Sequence, residues 1–153
     1  MCGPGWFSAT GRHKLIGRKS RNFTLRSYQG RELSFSTLKG KTVVLTFFGS
    51  WSEQCKKHLV QLEQLLSDNP DNDLILIGIT MEKNAGRVKK FVEDNDLTFP
   101  VLIDGKGVFK QFKVGGIPDT YCLDKRGIVR FRTVGFRPGN EKNFELALSK
   151  YVK

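Results

Sequence analysis

The sequence predicts an α/β fold, with a mixed sheet of four or five strands, helices on both faces and a small extra hairpin. Three observations predict it. Val43-Val44-Leu45-Thr46-Phe47-Phe48 is a short apolar run rich in β-branched and aromatic residues, as in a strand buried on both faces. Leu74 to Thr80 (LILIGIT) is a second such run. Between them Cys55, Leu59, Leu62 and Leu66 recur at helical spacing, so the order strand, helix, strand implies a parallel pair with a right-handed crossover.

The elements follow in chain order. Met1 to Asn22 carries glycines, a proline and bases without apolar periodicity, which predicts a basic flexible tail over 1–22 and one domain over 23–153. As written the tail has no apolar stretch of signal-peptide type, and its alternative role is contact with acidic membrane or RNA surfaces. Phe23-Thr-Leu-Arg and Glu32-Leu-Ser-Phe35 flank a Gln29-Gly30 turn and read as a β-hairpin. The first helix is expected from about Ser52 to Ser67, stopping before Pro70. A second helix spans about Ala85 to Asp94 with Val88, Phe91 and Val92 inward, and Phe99 to Ile103 is a further short strand. A short helical piece, Val108 to Phe112, precedes Val114-Gly-Gly-Ile-Pro-Asp-Thr120. The runs Thr120 to Leu123 and Ile128 to Val134 then close on the Asp124-Lys-Arg-Gly127 turn. Asn143 to Val152 is a last helix offering Phe144, Leu146, Leu148 and Tyr151 to the core.

Composition narrows the function. Lysine and arginine outnumber aspartate and glutamate by 26 to 15, but seven of those bases precede the first acid, Glu32. Beyond it the balance is only mildly positive, which argues against a nucleic-acid platform, and no nucleic-acid partner is expected. Cys2, Cys55 and Cys122 make no disulfide framework, and with two isolated histidines they offer no metal-ligand spacing. No cofactor is expected. Cys122, between Tyr121 and Leu123, reads as a buried apolar residue.

Any chemistry belongs at the junction where the strand ending in Phe48 turns through Gly49-Ser50-Trp51 into a helix. First-turn N–H groups and the macrodipole favour negative charge there, including a thiolate. Cys55 lies in that turn but also on the apolar stripe, where burial opposes ionisation. A reactive thiol and an inert core cysteine both remain open. Ser52 suits an N-cap, its oxygen accepting from an N–H two or three residues on. His58 is expected on the solvated side with Lys56 and Lys57, or else facing Cys55 as a thiol-activating base.

The order strand, Trp51-x-x-x-Cys55 at a helix start, then Gly116-Ile117-Pro118-Asp119-Thr120 before a β-hairpin resembles the thioredoxin fold, a three-layer α/β/α sandwich. The N-terminal hairpin, Leu38-Lys-Gly-Lys41, the inserted strand and helix around Ile79 to Asp94, and Phe99-Pro-Val-Leu-Ile-Asp104 resemble its TlpA-like thiol-disulfide oxidoreductase branch. There is a more distant similarity to peroxiredoxins. The resemblance implies protein or peptide thiol and disulfide substrates, a monomer, and a location outside the cytoplasm. It also implies that Pro118 forms a cis bond beside the active site, that Ile117 pairs with an extended substrate segment, and that Trp51 shields the site and touches the partner. The family's motif is Cys-x-x-Cys, whereas this chain has Ser52-Glu53-Gln54-Cys55, so Ser52 stands at the attacking position and Cys55 at the resolving one. A serine hydroxyl is not ionised at neutral pH without a dedicated base, so dithiol exchange within the motif is excluded for the chain as written. Val60 replaces a helix-kinking proline. Ser52-x-x-Cys55 also mimics the Thr-x-x-Cys of peroxiredoxins, without their loop proline or their arginine. The alternatives to oxidoreductase chemistry are a non-catalytic peptide- or thiol-binding module and a one-cysteine peroxidase-like protein.

Overall fold

Everything else is arranged around strand β3, Thr42–Phe48, in which every residue is buried. The computed structural model describes residues 15–68, 70, 73–135 and 141–150. Before β3 come β1 (Thr24–Ser27), β2 (Glu32–Ser34) and a 3-10 turn, Phe35–Leu38. After it come α1 (Glu53–Asp68), β4 (Leu74–Thr80), α2 (Ala85–Asp94), β5 (Val101–Ile103), α3 (Val108–Gln111), β6 (Asp119–Leu123), β7 (Val129–Val134) and α4 (Glu141–Ser149). One seven-stranded mixed sheet results, in the order β2-β1-β5-β4-β3-β6-β7. β3 is parallel to β4 and antiparallel to β6. The hairpin β1–β2, expected as an extra, is continuous with the sheet because Arg26 and Ser27 pair with Ile103 and Leu102 of β5. That contact is remote in sequence and leaves no periodic trace.

Because side chains alternate along a strand, β3 feeds two cores. Val44 and Phe48 join Cys55, Leu59 and Leu62 of α1, Val88 and Phe91 of α2, and Phe144 and Leu148 of α4. Val43, Leu45 and Phe47 join Val108 of α3, Phe35 of the 3-10 turn and Tyr121 on the opposite face. Helices therefore cover both faces, three long ones on the first and a short one on the second. Gly78 lets this packing close, since a Cβ there would stand 3.2 Å from the rings of both Phe48 and Phe99.

Some expectations change. Leu146, assigned to the core, is 67% exposed on α4, where Phe144 and Leu148 are buried and Ala147 packs beside them. Tyr151 and Val152 lie outside the described residues, as do Cys2 and positions 1–14 of the expected tail. Positions 15–20 meet the β6–β7 hairpin: Gly17 N–H donates to Val129 C=O at 2.7 Å and Ser20 N–H to Gly127 C=O at 2.9 Å.

Candidate functional site

Parallel pairing ends β3 and β4 level with each other, Phe48 opposite Thr80. Two residues further, Ser50 meets Glu82, which accepts the Ser50 N–H at 2.9 Å and the Ser50 hydroxyl at 2.5 Å. The Thr80 hydroxyl also donates to Glu82, at 3.2 Å. This carboxylate fixes the turn that leads into α1. Sequence reading missed it, although counting two residues past each of two adjacent parallel strands finds the pair. Gly49 lets the Trp51 ring lie over the turn, because a Cβ there would meet the outer ring atoms and the exposed indole would have to swing away. The indole folds over the glycine with 68% of its surface exposed.

Ser52 is the N-cap of α1. Its Oγ accepts the Cys55 N–H at 3.2 Å, and its carbonyl accepts the Lys56 N–H at 3.0 Å. Cys55 follows at 0% exposure. Burial pushes its thiol above the ordinary value, against the Gly49 N–H and the Ser52 hydroxyl, which stabilise the thiolate. Of the two opposed influences expected at this position, desolvation prevails. Cys122 is likewise fully buried, and desolvation raises its thiol pKa well beyond the usual range.

The Ile117–Pro118 peptide is cis. Register places it beside the motif, because Phe47 of β3 pairs with Asp119 and Ile117 packs on the core that holds Cys55. Asp119 is fully buried and takes a bidentate ion pair from Arg132, at 2.9 Å from Nε and 2.7 Å from the terminal nitrogen. Burial nevertheless raises the Asp119 pKa. The Arg132 guanidinium also lies 5.3 Å from the centre of the Tyr121 ring, a cation–π contact.

His58 is not on the solvated side. It is 9% exposed, and its Nε2 lies 2.8 Å from Thr120 Oγ1, which in turn meets Thr46 Oγ1 at 3.0 Å. Burial lowers its pKa to about 4, so the ring is neutral at pH 7. The expectation failed because the adjacent Lys56 and Lys57 suggested a wet face, while the partner that draws His58 inward stands on β6, 62 residues away. Among the described residues no group of three or more His, Cys, Asp or Glu side chains could hold a metal ion, and no helix is long and apolar enough to cross a membrane.

The AhpC/TSA family profile matches residues 16–132. The chain belongs to the AhpC/TSA family. The sequence is 32% identical over 134 residues to the Thioredoxin-like protein YneN of Bacillus subtilis (strain 168), covering 86% of this chain and 79% of that protein. It is 31% identical over 121 residues to the Thiol-disulfide oxidoreductase ResA of Bacillus cereus (strain ZK / E33L), covering 78% of this chain and 70% of that one. A candidate Thiol:disulfide interchange protein DsbE from Chlorobium tepidum superposes with a TM-score of 0.83 at 24% identity, over 90% of this chain and 98% of that chain. The last likeness carries the thioredoxin-like fold, and the sequence matches make thiol-disulfide oxidoreductases homologues of this AhpC/TSA chain.

Proposed function

We propose that this chain is a thiol-disulfide oxidoreductase family member in which Ser52 occupies the attacking position and Cys55 the resolving one. In this form it holds an extended thiol- or disulfide-bearing protein segment against Trp51, Ile117 and Pro118 without exchanging disulfides. The observation that carries this reading is the contrast between the two motif positions. Position 52 is half-exposed at the helix cap, where a thiolate would gain from the first-turn N–H groups, while Cys55 is sealed beneath it with its pKa raised. An attacking thiol must be reached by its substrate, and a resolving one need only be reached by its neighbour.

Restoring the missing sulfur tests the reading. Ser52→Cys is expected to form an intramotif disulfide with Cys55 on oxidation and to accelerate insulin reduction by dithiothreitol, whereas the Ser52 chain does neither. A variant that folds yet neither forms that disulfide nor accelerates the reaction refutes the assignment. Iodoacetamide labelling of the native Ser52 chain, read at Cys55 by mass spectrometry, is expected to be slow at pH 7. Rapid labelling would favour the peroxidase-like alternative, which the geometry does not support, because the groups stabilising the Cys55 thiolate are the Gly49 N–H and the Ser52 hydroxyl rather than a cation.

A further inference from the structure

A concavity lies at the end of the sheet away from the motif turn. It is a cleft of about 260 Å³ between the start of β3 and the β6–β7 turn, floored by Phe35, Leu38 and Val43. Its rim carries five cations, Lys19, Lys39, Lys41, Lys125 and Arg126. The carboxylates nearby are already engaged. Asp124 pairs with Arg130 at 2.6 Å, and Asp73 is shared by Lys41 at 3.4 Å and Lys125 at 3.7 Å. Among the described residues none pairs with Lys19, Lys39 or Arg126. Like charges gathered around a concave, partly apolar surface raise one another's energy, and an anion entering between them relieves it.

The walls are held at the backbone. Gly40 N–H donates to Lys125 C=O at 3.0 Å, and Ser20 N–H to Gly127 C=O at 2.9 Å. Phe35 is fixed by stacking on Phe23, with ring centres 5.4 Å apart. Asn22 spends its side-chain oxygen on the Ser36 N–H at 2.7 Å, which leaves its amide donors for a ligand. An apolar floor with a cationic rim and spare donors is complementary to one chemistry, an apolar body bearing an anionic head.

We propose that this cleft binds a small organic anion of the aryl or acyl phosphate or carboxylate class, at a site separate from the thiol. β3 spans from the cleft at Val43 to the motif turn after Phe48, a separation of roughly 20 Å at the rise of an extended strand, so a ligand here does not touch the motif turn or the Ile117–Pro118 loop.

The probe is phenyl phosphate, titrated calorimetrically into the full chain, with inorganic phosphate and benzyl alcohol as comparators. The expected result is saturable one-to-one binding at least ~10-fold tighter than either comparator, weakened by added salt. Lys39→Glu combined with Arg126→Glu, both exposed positions, is expected to weaken binding at least ~10-fold with an unchanged circular dichroism spectrum. Lys89→Glu with Lys110→Glu, the same charge change away from the cleft, is expected to leave binding as it was. Iodoacetamide labelling of Cys55 should not respond to the ligand. The proposal is overturned by an absence of saturable binding, by equal affinity in the cleft variant, or by an equal loss in both variants. It is also overturned if phosphatidylglycerol vesicles capture the protein through Lys39 and Arg126 while phenyl phosphate does not bind, since the surface would then be reading a membrane.

Discussion

The buried imidazole makes stability depend on pH in a way that can be worked out beforehand. His58 has a pKa of about 4 in the folded chain against 6.5 for an ordinary histidine. Because the folded value is the lower one, the unfolded chain binds more protons throughout the window between them. Stability is therefore complete above pH 6.5 and falls as the pH drops towards 4. From the linkage relation the loss attributable to His58 is about 2 kcal/mol at pH 5 and about 3 kcal/mol once the lower value is passed. The comparison variant is His58→Leu, which removes the titrating ring but leaves Thr120 its contact with Thr46. Urea unfolding of both proteins at pH 7.5, 6, 5 and 4.5 gives the difference. Asp119, whose raised pKa works in the opposite direction at the acid end, is present in both and cancels. The expected outcome is a gap between the two proteins that changes by about 2 kcal/mol in favour of the variant between pH 7.5 and 5. Parallel pH profiles, or an NMR titration placing His58 near 6.5, would refute the reasoning.

Three further outcomes follow from the same geometry. Gly49→Ala should push the exposed Trp51 indole off the turn at a cost of at most about 1 kcal/mol, and should cost almost nothing in a Trp51→Ala background, as a double-mutant cycle by urea unfolding will read. Arg132→Leu leaves the Asp119 carboxylate buried alone, so a loss of about 3–5 kcal/mol is expected at pH 7. That loss should shrink on acidification as Asp119 takes up a proton, and a pH-independent loss would contradict the ion-pair account. Glu82→Ala strips the partner from the Ser50 N–H and hydroxyl and should cost about 1–3 kcal/mol, with Glu82→Gln intermediate, measured by thermal unfolding.

Local pattern made much of this molecule legible. The apolar runs of β3 and β4 and the 3.6-residue stripes of α1 and α2 are properties of neighbouring residues, and the structure places Leu59, Leu62, Val88, Phe91 and Val92 inward as their spacing requires. The cis bond before Pro118 was legible only through resemblance, because no local signal distinguishes it from a trans turn. What escaped depends on contacts between distant segments. Glu82 becomes part of the site only through the β3–β4 register, and the partner of buried His58, Thr120, stands 62 residues away on β6. The attachment of the hairpin to β5 is of the same kind. Leu146 failed for the opposite reason: an apolar residue was granted an inward face that α4 fills with Phe144, Ala147 and Leu148.

The missing side chain at Gly78 links the middle of the sheet to the site. Phe48, whose ring edge would meet a methyl group there, is the final residue of its strand and the immediate predecessor of Gly49. Alanine at this position would need the Phe48 and Phe99 rings to give by a few tenths of an ångström, and Phe48 leads directly into the bend that carries Trp51 and Ser52. A hydrogen in place of a methyl group in the interior thus gives room to the aromatic ring that immediately precedes the motif turn.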